Sequence, residues 1–194
     1  MDPLLINMLN TLEVISISPP RVYLLDTNAF IQPAKQYYQF DIFPSFWKSL
    51  CFHAEKGRII SIDKVRDEIE KGKDDVDEWA RREFSNWFMS SDEQCVADVY
   101  GQLMKWANKE EGYPPHTYPD HAVKEFMKGT NADARLIAYA KAKGCVLVTQ
   151  ELPKRSEKSK DQKKIKIPDA CKESGLNVEC INLFQMLKEL GERF

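Results

Sequence analysis

Four carboxylates occupy positions where a solvated acid would not be expected: Asp26, Glu68, Asp133 and Glu151. Asp26 ends the apolar run Val22–Leu25, and Glu151 comes just after the apolar run of "VLVTQE". Glu68 lies between Val65 and Ile69 at i, i+3, i+4, so a helix would carry all three on one face. Asp133 precedes Leu136, Ile137 and Ala140 at i+3, i+4, i+7, so it opens the inward stripe of its helix. Buried unpaired carboxylates are costly, and several together repel one another unless a cation sits among them. Their hard oxygens suit Mg²⁺ or Mn²⁺. Acids holding one or two such ions, roughly 3.5–4 Å apart when paired, can hydrolyse a phosphodiester bond.

Each acid also has a plainer reading. Asp26 could close a turn with Asn28 capping the next helix. Asp133 could be a first-turn acid favoured by the helix dipole. Glu68 could pair with Arg66 or Lys71, with Glu70 a rival outside the stripe, and Glu151 could be a loop acid. Asp26 could also be a covalent phosphatase nucleophile, but Asn28 fills the position of the second Asp in a D-x-D pair. The four acids together, in order and each beside a strand or on an inward helix face, favour the metal site.

The positioning elements follow from periodicity and punctuation. Val22–Leu25, "RIISI" (58–62) and "CVLVT" (145–149) read as strands buried on both faces. "IKIP" and "NVECI" read as short strands, and "QPAKQYYQF" as a looser stretch. "FPSFWKSLCFHAEKGR" reads as a helix closed by Gly57, and "KVRDEIEKG" as one capped by Asp63 and ending at Gly72. Residues 74–128 read as helical throughout. "TNADARLIAYAKAKG" reads as a helix with Thr130 or Asn131 as cap and Gly144 as stop, and "NLFQMLKELGERF" as a closing amphipathic helix. Trp47, Trp79, Trp87 and Trp106 fall on helical stripes and read as packing residues. Alternating strands and helices predict an α/β fold with a parallel sheet covered on both faces, its site at the carboxyl ends of the strands.

Composition narrows the class. The 194 residues allow one domain with a substantial core. Net charge is −2, which does not suggest a nucleic-acid binder overall. The segment "KRSEKSKDQKKIK" (154–166) is the exception, with a local net of +5 just after Glu151. A charge run is commonly a solvated loop, yet here Lys154, Arg155, Lys163 and Lys164 are candidates for contact with a phosphate backbone. Five cysteines without a C-x-x-C pair argue against a disulfide framework or zinc knuckle. His53, His116 and His121 are scattered and read as surface or loop residues. No apolar run reaches the roughly 18 residues of a spanning helix, and the N-terminus is a poor secretory signal, so a cytoplasmic protein without membrane attachment is expected. Residues 1–20 read as a leader or docking arm ahead of a domain over 21–194.

"YLLDTN", "EIEKG", "NADARLIAYA" and "VLVTQE" resemble, in order, type and spacing, the PIN domain nucleases, over about residues 22–151 and onward to the C-terminus. The resemblance implies a PIN-like three-layer α/β/α fold with a central parallel sheet, here with a helical insertion at about 74–128. It implies Asp26, Glu68, Asp133 and Glu151 as the catalytic, metal-binding acids, with Thr27, Asn28 and Thr149 as supporting polar residues. It implies Mg²⁺ or Mn²⁺ as cofactor and RNA as substrate of a hydrolase. The branch it most resembles contains VapC-like toxins of toxin–antitoxin pairs, so an antitoxin partner and a homodimer are further expectations. Glu151 stands where the family usually has Asp, which keeps a catalytically silent RNA- or protein-binding module as the alternative.

Overall fold

The computed structural model describes residues 20–154 and 164–194. The proposed leader and the candidates Arg155 and Lys163 lie outside the described residues. Along the chain the elements are β1 (Tyr23–Leu25), α1 (Asn28–Gln36), α2 (Pro44–Glu55), β2 (Ile59–Ile62), α3 (Asp63–Glu70) and α4 (Asp75–Trp79). A π-turn (Ala80–Phe84) and a 3₁₀ turn (Ser85–Trp87) lead into β3 (Phe88–Met89). There follow α5 (Gln94–Ala107), α6 (Asp120–Phe126), α7 (Ala132–Lys143), β4 (Val146–Val148), α8 (Ile167–Glu173), β5 (Cys180–Ile181) and α9 (Leu183–Leu190).

All strand pairs are parallel, in the order β3-β2-β1-β4-β5. The three residues of β1 are fully buried, which is why that stretch is apolar without alternation. With its helices packed about it, the parallel sheet forms the expected three-layer α/β/α architecture. The order reverses at β1: β2 and β3 extend to one side, β4 and β5 to the other. Such a switch point opens a crevice at the carboxyl ends of the strands. Residues Asp26 and Thr149 stand there, directly after β1 and β4.

Several local expectations change. The 74–128 stretch is not helical throughout, because Phe88 and Met89 pair with Ser61 and Ile62 and extend the sheet. The "QPAKQYYQF" region contributes the second half of α1, a helix hidden from sequence reading by Pro33 and by a Thr27 cap with no side-chain hydrogen bond. "IKIP" is not a strand: Ile167 and Pro168 begin α8, with proline at a first-turn position where its missing N–H costs nothing. Asp63 is the first residue of α3 and not its cap; its Oδ1 accepts from Lys64 N (2.8 Å) and Ser91 Oγ (2.6 Å), tying α3 to the segment after β3. His53 is buried on the inner face of α2, where its Nε2 meets Glu192 Oε1 at 2.6 Å. Trp47 and Trp106 are buried, and Trp79 and Trp87 pack partly buried against the same core.

The α7 helix forms as its sequence dictates. Asn131 caps it by accepting from Asp133 N at 2.9 Å, and Gly144 ends it at φ +67°, a left-handed conformation glycine adopts without strain. Leu136, Ile137 and Ala140 are buried, so the stripe that carries Asp133 does face inward.

Candidate active site

The acids come together through hydrogen bonds between elements distant in sequence. Asp26 N donates to Val148 O (2.9 Å), continuing the β1–β4 pairing by one residue and setting the carboxylate at the crevice. Its Oδ2 accepts from Thr149 Oγ1 (2.7 Å) and, more loosely, from Asn28 Nδ2 (3.4 Å). Glu68 accepts from Thr27 Oγ1 at Oε2 (2.6 Å) and from Ala132 N at Oε1 (3.1 Å). One carboxylate therefore ties the end of β1 to the first turn of α7, the turn that presents Asp133. All three supporting residues, Thr27, Asn28 and Thr149, touch an acid.

The electrostatics record the crowding. Asp26 is almost fully buried, and its carboxyl is pushed up to about 6, first by burial, then by the charges of Glu151 and Glu68, against the stabilising Thr149 hydrogen bond. The Asp133 carboxyl is pushed up to about 8 by burial, then by Asp26, Glu151 and Glu68. Asp133 thus feels the other three acids, and Asp26 feels Glu151 and Glu68. Among the described residues no Lys, Arg or His pairs with Asp26, Glu68 or Asp133. The nearby helix cations have other partners: Arg66 pairs with Asp67 and Glu70. The alternative of a surface Glu68–Arg66 pair is not what the structure contains. Also among the described residues, no three acid, histidine or cysteine side chains converge closely enough to enclose an ion as they stand.

Glu151 differs from the other three. Its Oε2 accepts from Ile167 N (2.8 Å) at the start of α8, and its Oε1 meets Lys166 Nζ at 2.9 Å. Both oxygens are engaged. Lys154 faces away from solvent: its Nζ meets Glu173 Oε1 at 2.5 Å and lies 5.1 Å from the centre of the Tyr118 ring, while its N–H donates to both oxygens of Asp169. Lys164 is exposed.

A family model described as "Domain of unknown function (DUF4411)" matches residues 23–194. The chain belongs to this family. A comparison with curated proteins finds no match. Among solved structures, the chain is similar to VapBC2 from Rickettsia felis bound to a DNA fragment from their promoter, at 18% identity, 83% of this chain, 98% of that chain and a TM-score of 0.46. It is similar to FitAcB from Neisseria gonorrhoeae at 16% identity, 83% and 97% coverage and a TM-score of 0.46. It is also similar to DNA-bound VapBC from Salmonella typhimurium at 18% identity, 84% and 98% coverage and a TM-score of 0.45.

In this DUF4411 chain, Asp169 is the helix-start acid that its place in the sequence predicts, and two contacts of the site have no local sequence signal. Lys166 is one of seven basic residues of the charged run, and its approach to Glu151 distinguishes it. Asp169, a first-turn acid of α8, is buried and clamps the backbone of Lys154, with its carboxyl pushed up mainly by burial. Its place after Pro168 signals a helix start, while the clamp has no local signature. No helix of the described residues is long and apolar enough to cross a membrane.

Proposed function

We propose that the chain is a metal-dependent ribonuclease of PIN type, the toxin of a toxin–antitoxin pair, in which Asp26, Glu68 and Asp133 hold Mg²⁺ or Mn²⁺ and Glu151 supports the site. The observation that carries this reading is a group of mutually repelling acids at the switch point, three of them without a described cationic partner. Their all-carboxylate donor set fits a hard divalent ion. Such an ion, when bound, would polarise the phosphodiester and lower the pKa of a water.

The chain's own residues orient the donors. Thr149 and Asn28 fix the rotamer of Asp26, and Thr27 with Ala132 N fixes that of Glu68. Asp133 keeps a proton on its carboxyl near neutral pH in the absence of a cation.

The test is cleavage of single-stranded RNA by wild type and by Asp26→Asn, each with Mn²⁺ and with EDTA. Cleavage by wild type with Mn²⁺ alone, and a loss of at least ~100-fold in Asp26→Asn, is expected. Equal cleavage by both proteins, or cleavage in EDTA, would refute the assignment. The engagement of both Glu151 oxygens favours a second reading, a catalytically silent module, whose signature is RNA binding without cleavage under every metal condition.

A further inference from the structure

A cluster of four carboxylates is a poor place to receive a polyanion. A nucleic-acid backbone approaching it meets repulsion unless positive charge stands at the same rim. Among the described residues, Lys166 is the one cation paired with any of the four acids. It meets Glu151, whose backbone N–H donates to Thr149 Oγ1 (3.1 Å), the hydroxyl that in turn donates to Asp26 Oδ2 (2.7 Å), so the ammonium stands at the rim of the acids and not on a remote surface. Its side chain is 40% exposed against 14% for Glu151. The carboxylate lies on the protein side of the pair and the ammonium on the solvent side. An ammonium has three donors, and the contact with Glu151 uses one of them.

Glu151 is itself held. Ile167 N donates to its second oxygen, so the acid is fixed between the segment after β4 and the start of α8. Lys166 immediately precedes α8, and Asp169 within α8 anchors the backbone of Lys154. Glu151 is thus built into the frame that presents Lys166, with neither oxygen free of a protein donor.

We infer that Lys166 binds a phosphate of the RNA substrate beside the acids, and that Glu151 is a positioning residue for Lys166 and α8 and not a metal ligand. This rests on the proposed nucleic-acid substrate, and it narrows the metal-binding set to Asp26, Glu68 and Asp133. The extra methylene of Glu151 relative to Asp supplies the reach to the α8 backbone.

Two measurements test it without relying on turnover. Fluorescence anisotropy with a mixed-sequence single-stranded RNA, in EDTA and over a range of salt, reads the phosphate contact. Lys166→Ala should weaken binding ~5-fold and lower the slope of log K against log salt by about 0.7, the value for one contact on a single strand. Lys166→Arg should retain the slope, and Lys166→Glu should lose more than Lys166→Ala. Calorimetry with Mn²⁺ alone reads the ligand set: Glu151→Gln should keep the affinity within about 3-fold, while Asp133→Asn should lose at least ~10-fold. An unchanged salt slope in Lys166→Ala, no RNA binding by wild type, or loss of Mn²⁺ binding in Glu151→Gln overturns the inference. The two readings fail separately. Wild type that binds RNA with the Lys166-dependent slope but never cuts defeats the nuclease, while RNA cleavage with a slope indifferent to Lys166 defeats only the phosphate contact.

Discussion

Replacing Asp133 by Asn should make the metal-free protein more stable at neutral pH. The carboxyl is pushed up from 3.8 to about 8 by burial and by three neighbouring acids. The native state therefore holds a proton that the unfolded chain has released over the whole interval between those values. Because the native state binds the additional proton, stability falls as pH rises from about 4 to about 8, at up to 1.4 kcal/mol per pH unit for this group. Taken in full, the cost at pH 7 is about 4 kcal/mol. Asp133 keeps some contact with solvent, which screens part of this, so a gain of about 2–4 kcal/mol is expected for Asn, a neutral side chain of the same shape. For a chain of this length that corresponds to a rise in Tm of roughly 5–15 °C. The assay is urea unfolding followed by circular dichroism, in EDTA, at several pH values from 4.5 to 8.5. The difference between variant and wild type isolates this group from the other titrating acids, and it should widen with pH and level off above about 8. Added Mn²⁺ should narrow it, by stabilising wild type alone. A variant less stable than wild type at pH 7.5 in EDTA, or a difference that does not change with pH, would refute the crowded, unpaired state of the acids.

Thr27→Val removes the hydroxyl that donates to Glu68 and leaves Ala132 N as its remaining described donor; a loss of about 1–2 kcal/mol in urea unfolding is expected, and no loss would show that the latch between β1 and α3 contributes nothing. Gly144→Ala places a Cβ at φ +67° at the end of α7 and should cost about 1 kcal/mol, even though nothing lies within 4 Å of the added atom; an unchanged midpoint would mean that the turn relaxes into another conformation.

The local signals in the sequence carried furthest where one element contained both the signal and its answer. Asn131 and Gly144 delimit α7 from its own residues, and Leu136 and Ile137 decide which way Asp133 points. Val65 and Ile69 are both buried, and Glu68 lies between them as their spacing requires. Where the partner lies elsewhere, the signal is weak or absent. A two-residue strand such as β3 has no period to detect, and only its pairing with β2 makes it a strand. His53 looks like a stray helix residue until the C-terminal segment brings Glu192 to it.

The sequence by itself determined that the chain builds a parallel sheet flanked by helices and that four acids stand near its strand ends, because those facts depend on apolar runs and a 3.6-residue period. The tertiary structure decided what each acid touches. Thr149 reaches Asp26 across 123 residues, and Ala132 N reaches Glu68 across 64. Glu151 is separated from the other three only by the arrival of Lys166 and the α8 backbone. Carboxylates of nearly the same chemistry are set apart by burial, by donors and by neighbouring charge, and these are fixed by distances in space that spacing along the chain does not contain.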